Sequence, residues 1–214
     1  MPDDTCSPSG TSYPSDCDIT QGLREKAFSR KHSDERSYLW RSCLPRAKQI
    51  KLLLLDVDGV LTDGTITYTH GGDEIKSFHT RDGLGLRLLQ EAGVEVGIIT
   101  ARTSEAVTRR ARDLSLKYVF QGSRNKIEAY DTIISELKVK PEEIAYMGDD
   151  WLDLPILTRV GFAITVADGA AEVRNVAHFI TSSPGGKGAV REVCDLIIEA
   201  KDMTQTLLEK YTHP

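Results

Sequence analysis

Short apolar runs alternate with helical patterns along most of this chain, and that alternation limits its possible folds more than any other feature. The residues of each run are consecutively apolar, which is typical of strands buried on both faces of a parallel sheet. The runs are Ile50–Val57, Val94–Thr100, Tyr118–Phe120, Ile144–Met147 and Gly161–Val166. Helical patterns occupy Leu84–Ala92, Ser104–Leu114, Lys126–Leu137, Trp151–Thr158, Ala170–Val176 and about Gly188–Tyr211. This order predicts an α/β fold with a doubly wound, Rossmann-like parallel sheet.

One interval departs from the alternation of strand and helix. Thr65–Thr69 and Glu74–His79 flank the turn sequence His70-Gly71-Gly72-Asp73. Two short extended segments around a glycine-rich turn are typical of a β-hairpin. We therefore predict a β-hairpin flap after the first strand.

The start of the chain differs in composition from the rest. Residues 1–48 are rich in Ser, Pro and charged residues and show no sustained periodicity. We predict that they form a polar, weakly ordered leader and that residues 49–214 form one domain. The chain has 214 residues, of which 40% are hydrophobic, so a packed core is expected.

Composition excludes several classes of protein. A net charge of −5 argues against nonspecific binding to nucleic acid or to acidic membrane surfaces. No apolar run approaches the roughly 18 residues of a membrane-spanning helix, and the first residues do not resemble a secretory signal. The cysteines Cys6, Cys17, Cys43 and Cys194 have neither zinc-type spacing nor the density of a disulfide scaffold. We expect a cytoplasmic protein with no nucleic-acid or membrane partner.

Polar residues suited to phosphoryl chemistry stand where the predicted strands end. Ligands of open parallel sheets bind beyond the carboxyl ends of the strands. Carboxylates about 4 Å apart repel by roughly 1–4 kcal/mol, so several acids at one edge call for a cation, and Mg²⁺ suits oxygen ligands. A lysine and a hydroxyl there would bind phosphoryl oxygens. The residues concerned are Asp56, Asp58, Thr100, Lys126, Asp149, Asp150 and Asp153.

Each of these features also has a simpler explanation. Asp-x-Asp-Gly at Asp56–Gly59 is often only a turn, Thr100 alone is most often a helix N-cap, and Lys126 alone is usually a solvated side chain. Their common position at strand ends of one sheet favours a functional site over separate structural roles.

In this order, Asp56-Val57-Asp58-Gly59-Val60-Leu61-Thr62, Thr100, Lys126 and Gly148-Asp149-Asp150-x-x-Asp153 resemble the four motifs of the haloacid dehalogenase superfamily. The resemblance implies that Asp56 is a nucleophile that forms an aspartyl-phosphate. It implies that Asp58 is a general acid and then a general base. Asp56, the backbone carbonyl of Asp58, and Asp149 would hold Mg²⁺. Asp150 would support the metal site, and Asp153 would orient Lys126.

Members of this superfamily usually cover the substrate with an inserted cap domain, and this chain has no room for one. Between Thr62 and Thr100 only the hairpin, a helix and a strand fit, and between Lys126 and Gly148 only a helix. An uncapped site is open, so we expect neighbouring subunits to supply its walls.

The uncapped build, together with Phe78–Gly85 and Pro184–Glu192, resembles the 3-deoxy-D-manno-octulosonate 8-phosphate phosphatase family, which acts in lipopolysaccharide precursor synthesis. The resemblance implies a Mg²⁺-dependent phosphatase of a sugar-acid phosphate and a homotetramer whose subunits complete each other's sites. Arg81 and Arg102 are our candidates for binding the substrate carboxylate, because a guanidinium can bind it with two hydrogen bonds. A surface ion pair is the alternative for each arginine.

Three other functions stay open from the sequence. One is a phosphatase of nine-carbon, sialic-acid-type 9-phosphates. Another is a phospho-accepting, receiver-like signalling domain, which shares the sheet and an Asp, Thr and Lys but phosphorylates an Asp at a later strand. The third is a non-catalytic regulator. The Asp-x-Asp spacing at the first strand and the acids at 149–153 favour the phosphatase over the receiver.

Overall fold

The run Leu52–Leu55 forms strand β1 at the centre of the molecule, and all four side chains are buried. Successive side chains of a strand point to opposite faces, so this burial requires helices on both sides of the sheet. Leu53 and Leu55 belong to one core cluster, and Leu52 and Leu54 belong to the other. The computed structural model describes residues 37–212, and they form a three-layer α/β fold.

The main sheet has six parallel strands among the described residues. Besides β1 these are β4 (Glu95–Ile99), β5 (Tyr118–Phe120), β6 (Ile144–Met147), β7 (Phe162–Thr165) and β8 (Phe179–Ile180). Their order is β5-β4-β1-β6-β7-β8, so the chain extends the sheet first to one side of β1 and then to the other. The predicted doubly wound parallel sheet is confirmed. Strand β8 was not predicted, because two residues are too few to show a periodicity.

Helices cover both faces of this sheet. Helices α1 (Tyr38–Gln49), α2 (Thr80–Glu91), α3 (Glu105–Asp113), α7 (Ala189–Ala200) and α8 (Thr204–Thr212) contribute to the core cluster that contains Leu53. Helices α4 (Lys126–Leu137), α5 (Leu154–Leu157) and α6 (Ala171–Val176) contribute to the cluster that contains Leu52. The closing helix predicted as continuous is divided into α7 and α8, and Asp202 in the break has a left-handed backbone with φ of 60°.

The predicted hairpin is present between β1 and α2. Strands β2 (Thr67–Tyr68) and β3 (Glu74–Ile75) pair antiparallel, with Thr67 opposite Ile75. Gly72 in the turn has φ of 88°, a conformation that favours glycine. Within residues 56–147 nothing larger than this hairpin is inserted, as the sequence predicted. Its action as a flap remains a prediction.

The domain begins earlier than the predicted boundary at residue 48. Residues from Tyr38 onward form one compact unit, and α1 buries Trp40, Cys43 and Ala47 in the core. The Trp40 ring meets the Phe179 ring edge-on, with centroids 6.1 Å apart. The boundary at 48 is therefore corrected to 37, because Trp40, Cys43 and Ala47 recur at helical spacing and pack into the core. Of the leader predicted at residues 1–48, residues 1–36 lie outside the described residues.

Within residues 37–212, no helix combines the length and apolar character that crossing a membrane would require. The predicted cytoplasmic location remains a prediction.

Candidate active site

The carboxyl ends of neighbouring parallel strands bring the sequence-predicted acids to one edge of the sheet. Leu55, the last residue of β1, lies opposite Ile98 of β4 and Met147 of β6. Asp56 continues the sheet beyond β1, and its backbone N–H donates to Met147 O at 2.9 Å. Asp56 and Asp149 therefore meet at this edge, which is where the sequence predicted them.

Three carboxylates gather closely at this edge. One oxygen each from Asp56, Asp149 and Asp153 lies within 4.8 Å of the other two. Asp153 is fully buried, and four donors surround its two oxygens. Lys126 Nζ and the Tyr146 hydroxyl donate to Oδ1, both at 2.6 Å, and the backbone N–H groups of Asp149 and Asp150 donate to Oδ2 at 2.9 and 3.2 Å.

Asp153 has a different role from Asp56 and Asp149, because its two oxygens already accept four hydrogen bonds. A carboxylate offers about four lone-pair directions, and the hydrogen bonds to Asp153 use them all. Asp56 and Asp149 keep oxygens available for a cation. The donor set therefore fits a small oxygen-preferring cation such as Mg²⁺, with Asp56 and Asp149 as direct ligands. The Asp58 carbonyl stays a predicted ligand.

The electrostatics of this edge also fit a cation. Burial, followed by the charge of Asp153, raises the pKa of Asp56 to about 6, although Lys126 opposes the shift. Burial and then the charge of Asp56 raise the pKa of Asp149 to about 7. A divalent cation between them would favour both ionised forms, because an opposite charge stabilises a carboxylate.

Gly59 allows Asp149 to approach the loop after β1. A Cβ at this position would collide with the Asp149 carboxylate, and the backbone φ of 88° favours glycine. The Asp-x-Asp-Gly sequence therefore does more than form a turn, since its glycine makes room for an acid from another strand.

Lys126 is the buried cation of the cluster. It is the first residue of α4, and its Nζ lies 2.9 Å from Asp56 Oδ1 and 2.6 Å from Asp153 Oδ1. Burial disfavours its charge, but the two carboxylates hold its pKa above the ordinary value. Lys126 is thus a fixed positive charge beside Asp56, and it is suited to binding phosphoryl oxygens.

Thr100 and Asp58 border this cluster. Thr100 directly follows β4 and is buried, and its Oγ1 accepts a 3.4 Å hydrogen bond from Arg102 N. The Asp58 side chain points to the hairpin, where it accepts a hydrogen bond from Lys76, and its Oδ2 lies 3.9 Å from Arg102 Nε. The catalytic roles assigned to both residues remain predictions.

Asp150 lies apart from the three clustered carboxylates. It is exposed, and its Oδ1 accepts a 2.8 Å hydrogen bond from Trp151 N at the start of a short 3₁₀ helix, Trp151–Asp153. The Asp150 side chain therefore caps this short helix. It forms no hydrogen bond with Asp56 or Asp149, the two metal-ligand candidates.

The two predicted substrate arginines differ in their placement. Arg102 lines an open cavity of about 520 Å³ together with Ala101, Thr103, Arg124 and Leu152. Arg81 is exposed in the first turn of α2 and forms no ion pair within residues 37–212. Arg102 thus lines this cavity and Arg81 does not.

Three charged residues near the site were not predicted. Arg124 lies in the loop that follows β5, so the strand-end argument that selected Lys126 could also have selected it. Lys76 and Glu74 belong to the hairpin, and their contacts with Asp58 and Arg102 join segments far apart in sequence. No sequence signal identifies those pairings.

A doubly wound sheet with buried acids and a lysine at its carboxyl edge defines a class, the haloacid dehalogenase-like hydrolases, and the model of that family matches residues 118–193. The 3-deoxy-D-manno-octulosonate 8-phosphate phosphatases of Yersinia pestis and Escherichia coli K12 are 43% and 42% identical to this chain. Each alignment covers 74% of this chain, and they cover 85% and 84% of the two relatives.

A solved structure indicates the same family. The phosphatase of this name from Moraxella catarrhalis, in complex with a magnesium ion, a phosphate ion and a KDO molecule, is 40% identical with a TM-score of 0.78. The match covers 80% of this chain and 98% of that one. This chain belongs to the 3-deoxy-D-manno-octulosonate 8-phosphate phosphatase family. Membership of this family sets aside the receiver-like alternative.

Proposed function

We propose that this protein is a Mg²⁺-dependent phosphatase that converts 3-deoxy-D-manno-octulosonate 8-phosphate to 3-deoxy-D-manno-octulosonate and phosphate in lipopolysaccharide precursor synthesis. The observation that carries the proposal is the junction of Asp56, Lys126 and Asp149 at one sheet edge, with Asp153 saturated by donors that fix it. The curated relatives, which carry this activity in their names, support the choice of substrate.

The first step is transfer of the phosphoryl group to Asp56. Its carboxylate oxygen attacks phosphorus as the bond from phosphorus to the sugar oxygen breaks, and Asp58 in its acid form gives a proton to the departing oxygen. Lys126 and Thr100 bind the equatorial oxygens, where negative charge develops. The products of this step are the free sugar acid and an aspartyl-phosphate on Asp56.

The second step releases phosphate and restores the enzyme. Asp58, now a carboxylate, takes a proton from a water molecule whose oxygen attacks phosphorus, and the bond from phosphorus to Asp56 breaks. Mg²⁺ held by Asp56, Asp149 and the Asp58 carbonyl would supply charge neutralisation and Lewis acidity when bound. Asp153 acts through Lys126 by fixing the position of its ammonium group.

The open cavity supports a sugar-acid substrate. Its volume of about 520 Å³ falls in the range of small-molecule sites, and Arg102 and Arg124 give it positive charge. Arg102 is our choice for the substrate carboxylate. Arg81 has less support, because it is exposed and does not line this cavity.

We also propose a homotetramer in which a neighbouring subunit covers this open site. Apolar side chains are exposed on the hairpin and beside the cavity: Ile66, Tyr68, Ile75, Trp151 and Leu152. Such side chains at the border of an uncapped site are suited to an interface between copies of the chain.

The proposed function is tested by measuring phosphate release with Mg²⁺ on the eight-carbon 8-phosphate and on nine-carbon 9-phosphates. We expect preference for the eight-carbon substrate and complete loss of activity with chelator. Asp56→Asn should lower kcat by at least about 10⁴-fold while the protein stays folded, since the amide is not a nucleophile.

Asp63→Asn is the matched control. Asp63 is an exposed acid in the same loop, and its Oδ1 accepts a 3.1 Å hydrogen bond from Thr65 N. The activity of Asp63→Asn should equal that of the natural chain. Equal rates on unrelated phosphates would contradict the substrate assignment, and turnover by Asp56→Asn would contradict the mechanism.

A further inference from the structure

The hairpin buries a lysine against the proposed general acid. Lys76 directly follows β3, and its side chain is only 1% exposed. Its Nζ donates to Asp58 Oδ1 and lies 2.6 Å from Glu74 Oε1. A buried ammonium group is costly unless it is paired, so these two acids hold Lys76 in place. Lys76 in turn restricts the side chain of Asp58.

The same hairpin holds the proposed carboxylate-binding residue. Glu74 Oε2 accepts a 3.1 Å hydrogen bond from Arg102 Nη2, and the Tyr68 hydroxyl lies 3.3 Å from the same nitrogen. Nε of Arg102 is buried with no hydrogen-bond partner among residues 37–212. The hairpin therefore fixes Nη2 of Arg102, while the side chain as a whole stays 39% exposed and lines the cavity.

These contacts form a closed set of alternating charges. Asp58, Lys76, Glu74 and Arg102 follow one another in contact, and Arg102 Nε returns to within 3.9 Å of Asp58 Oδ2. With Asp58 ionised, as it is in the second step, the two acids and two bases balance and the set has no net charge. A surface ion pair would leave its partners mobile, whereas the burial of Lys76 and the small exposure of Glu74, whose side chain is 12% exposed, fix this geometry.

We propose that Glu74 and Lys76 are positioning residues of the active site. Glu74 orients Arg102 toward the carboxylate of the substrate, and Lys76 holds Asp58 beside the leaving oxygen. The inference rests on the proposed function. It assigns the hairpin a part in substrate selection and in proton transfer that is separate from any role in assembly.

The experiment compares Glu74→Gln with Lys76→Met by steady-state kinetics on the eight-carbon substrate. The two reaction products are used as inhibitors because they report on different contacts. The free sugar acid carries the carboxylate that Arg102 would bind, and inorganic phosphate does not. For Glu74→Gln we expect KM and the Ki of the sugar acid to rise about tenfold, with kcat and the Ki of phosphate changing less than about twofold. For Lys76→Met we expect kcat to fall about 10- to 100-fold, with both Ki values little changed.

Asp73→Asn is the matched control, because Asp73 is an exposed acid on the same hairpin and its side chain contacts neither Asp58 nor Arg102. Tyr68→Phe gives an independent test of how the hairpin orients Arg102 if Glu74→Gln, which removes a mostly buried charge, does not fold. It removes one hydroxyl from an exposed ring, and the KM and sugar-acid Ki should rise about two- to threefold.

The outcomes separate this inference from the proposed function. If the natural chain releases no phosphate from the substrate, the proposed function is wrong. If it does, and both Glu74→Gln and Tyr68→Phe keep the sugar-acid Ki of the natural chain, the role of Glu74 is overturned. An equal rise in both Ki values would indicate a general disturbance and would also overturn it. Unchanged kcat in folded Lys76→Met would overturn the role of Lys76.

Discussion

At the scale of single residues, the site brings together like charges that repel each other in the absence of a cation. Burial and the neighbouring carboxylate raise the pKa of Asp149 to about 7, and Asp56 is shifted in the same direction. We expect Asp149→Asn to raise the melting temperature of the metal-free protein by about 2–4 °C, because it removes one repelling charge. Mg²⁺ should stabilise the natural chain and should no longer stabilise this variant. Thermal unfolding with and without Mg²⁺ measures both effects.

Asp150→Asn is the informative comparison for that prediction. Asn still caps the 3₁₀ helix, so the variant changes only the charge next to Asp149. If Asp150→Asn keeps the Mg²⁺-dependent shift, its carboxylate does not support the metal, in line with its exposure. Loss of the shift in both variants would restore the role that the sequence predicted for Asp150. A shift retained by Asp149→Asn would contradict its assignment as a ligand.

At the scale of secondary-structure elements, His178 ties β8 to β7 and makes their junction sensitive to acid. Its backbone N–H donates to Ala163 O at 2.8 Å, and its Nδ1 accepts from Ala163 N at 2.9 Å. Burial, followed by the charge of Arg46, lowers the pKa of His178 from its ordinary value of 6.5. The unfolded chain therefore takes up a proton before the folded one does, and stability is lost as the pH falls below about 6.5.

His178→Asn tests this junction, because the amide oxygen can replace Nδ1 as the acceptor and does not titrate. We expect the free energy of unfolding to fall less between about pH 7.5 and about pH 5.5 in the variant than in the natural chain. Urea unfolding at the two pH values measures the difference, and other titrating groups cancel in the comparison. An equal fall in both proteins would contradict the prediction.

The elements also show how far the sequence could predict this fold. Consecutive leucines in β1 predict a strand buried on both faces, and the strand-end rule then places Asp56 and Asp149 at one edge. Helix α1 was missed because Pro45, a residue type that usually ends or kinks a helix, stands inside it. Lys76 was missed for another reason: its partner Asp58 lies 18 residues earlier in the chain, and no sequence pattern shows that the hairpin folds back onto the loop after β1.

At the scale of the whole molecule, no inserted domain within residues 56–147 covers the cavity that Arg102 lines, so this cavity is open. Tyr68, one of the exposed apolar residues of the hairpin, contacts Arg102 at the border of the cavity. Ile66 is 45% exposed just before β2. If the hairpin forms the subunit interface, an aspartate there would place an unpaired charge in an apolar contact. We expect Ile66→Asp to lower the mass in light scattering from a tetramer to smaller species and to reduce kcat/KM, because the site loses its wall.

Leu208→Asp is the control for this prediction, since Leu208 has a similar exposure of 44% but lies on α8, which packs against α7. It should leave both the mass and the activity unchanged. Kinetics at low protein concentration add an independent measure, because dissociation by dilution should lower the specific activity of the natural chain in the same way as Ile66→Asp. A natural chain that is monomeric and fully active would show that one subunit forms a complete site, and the exposed apolar residues of the hairpin would then need another explanation.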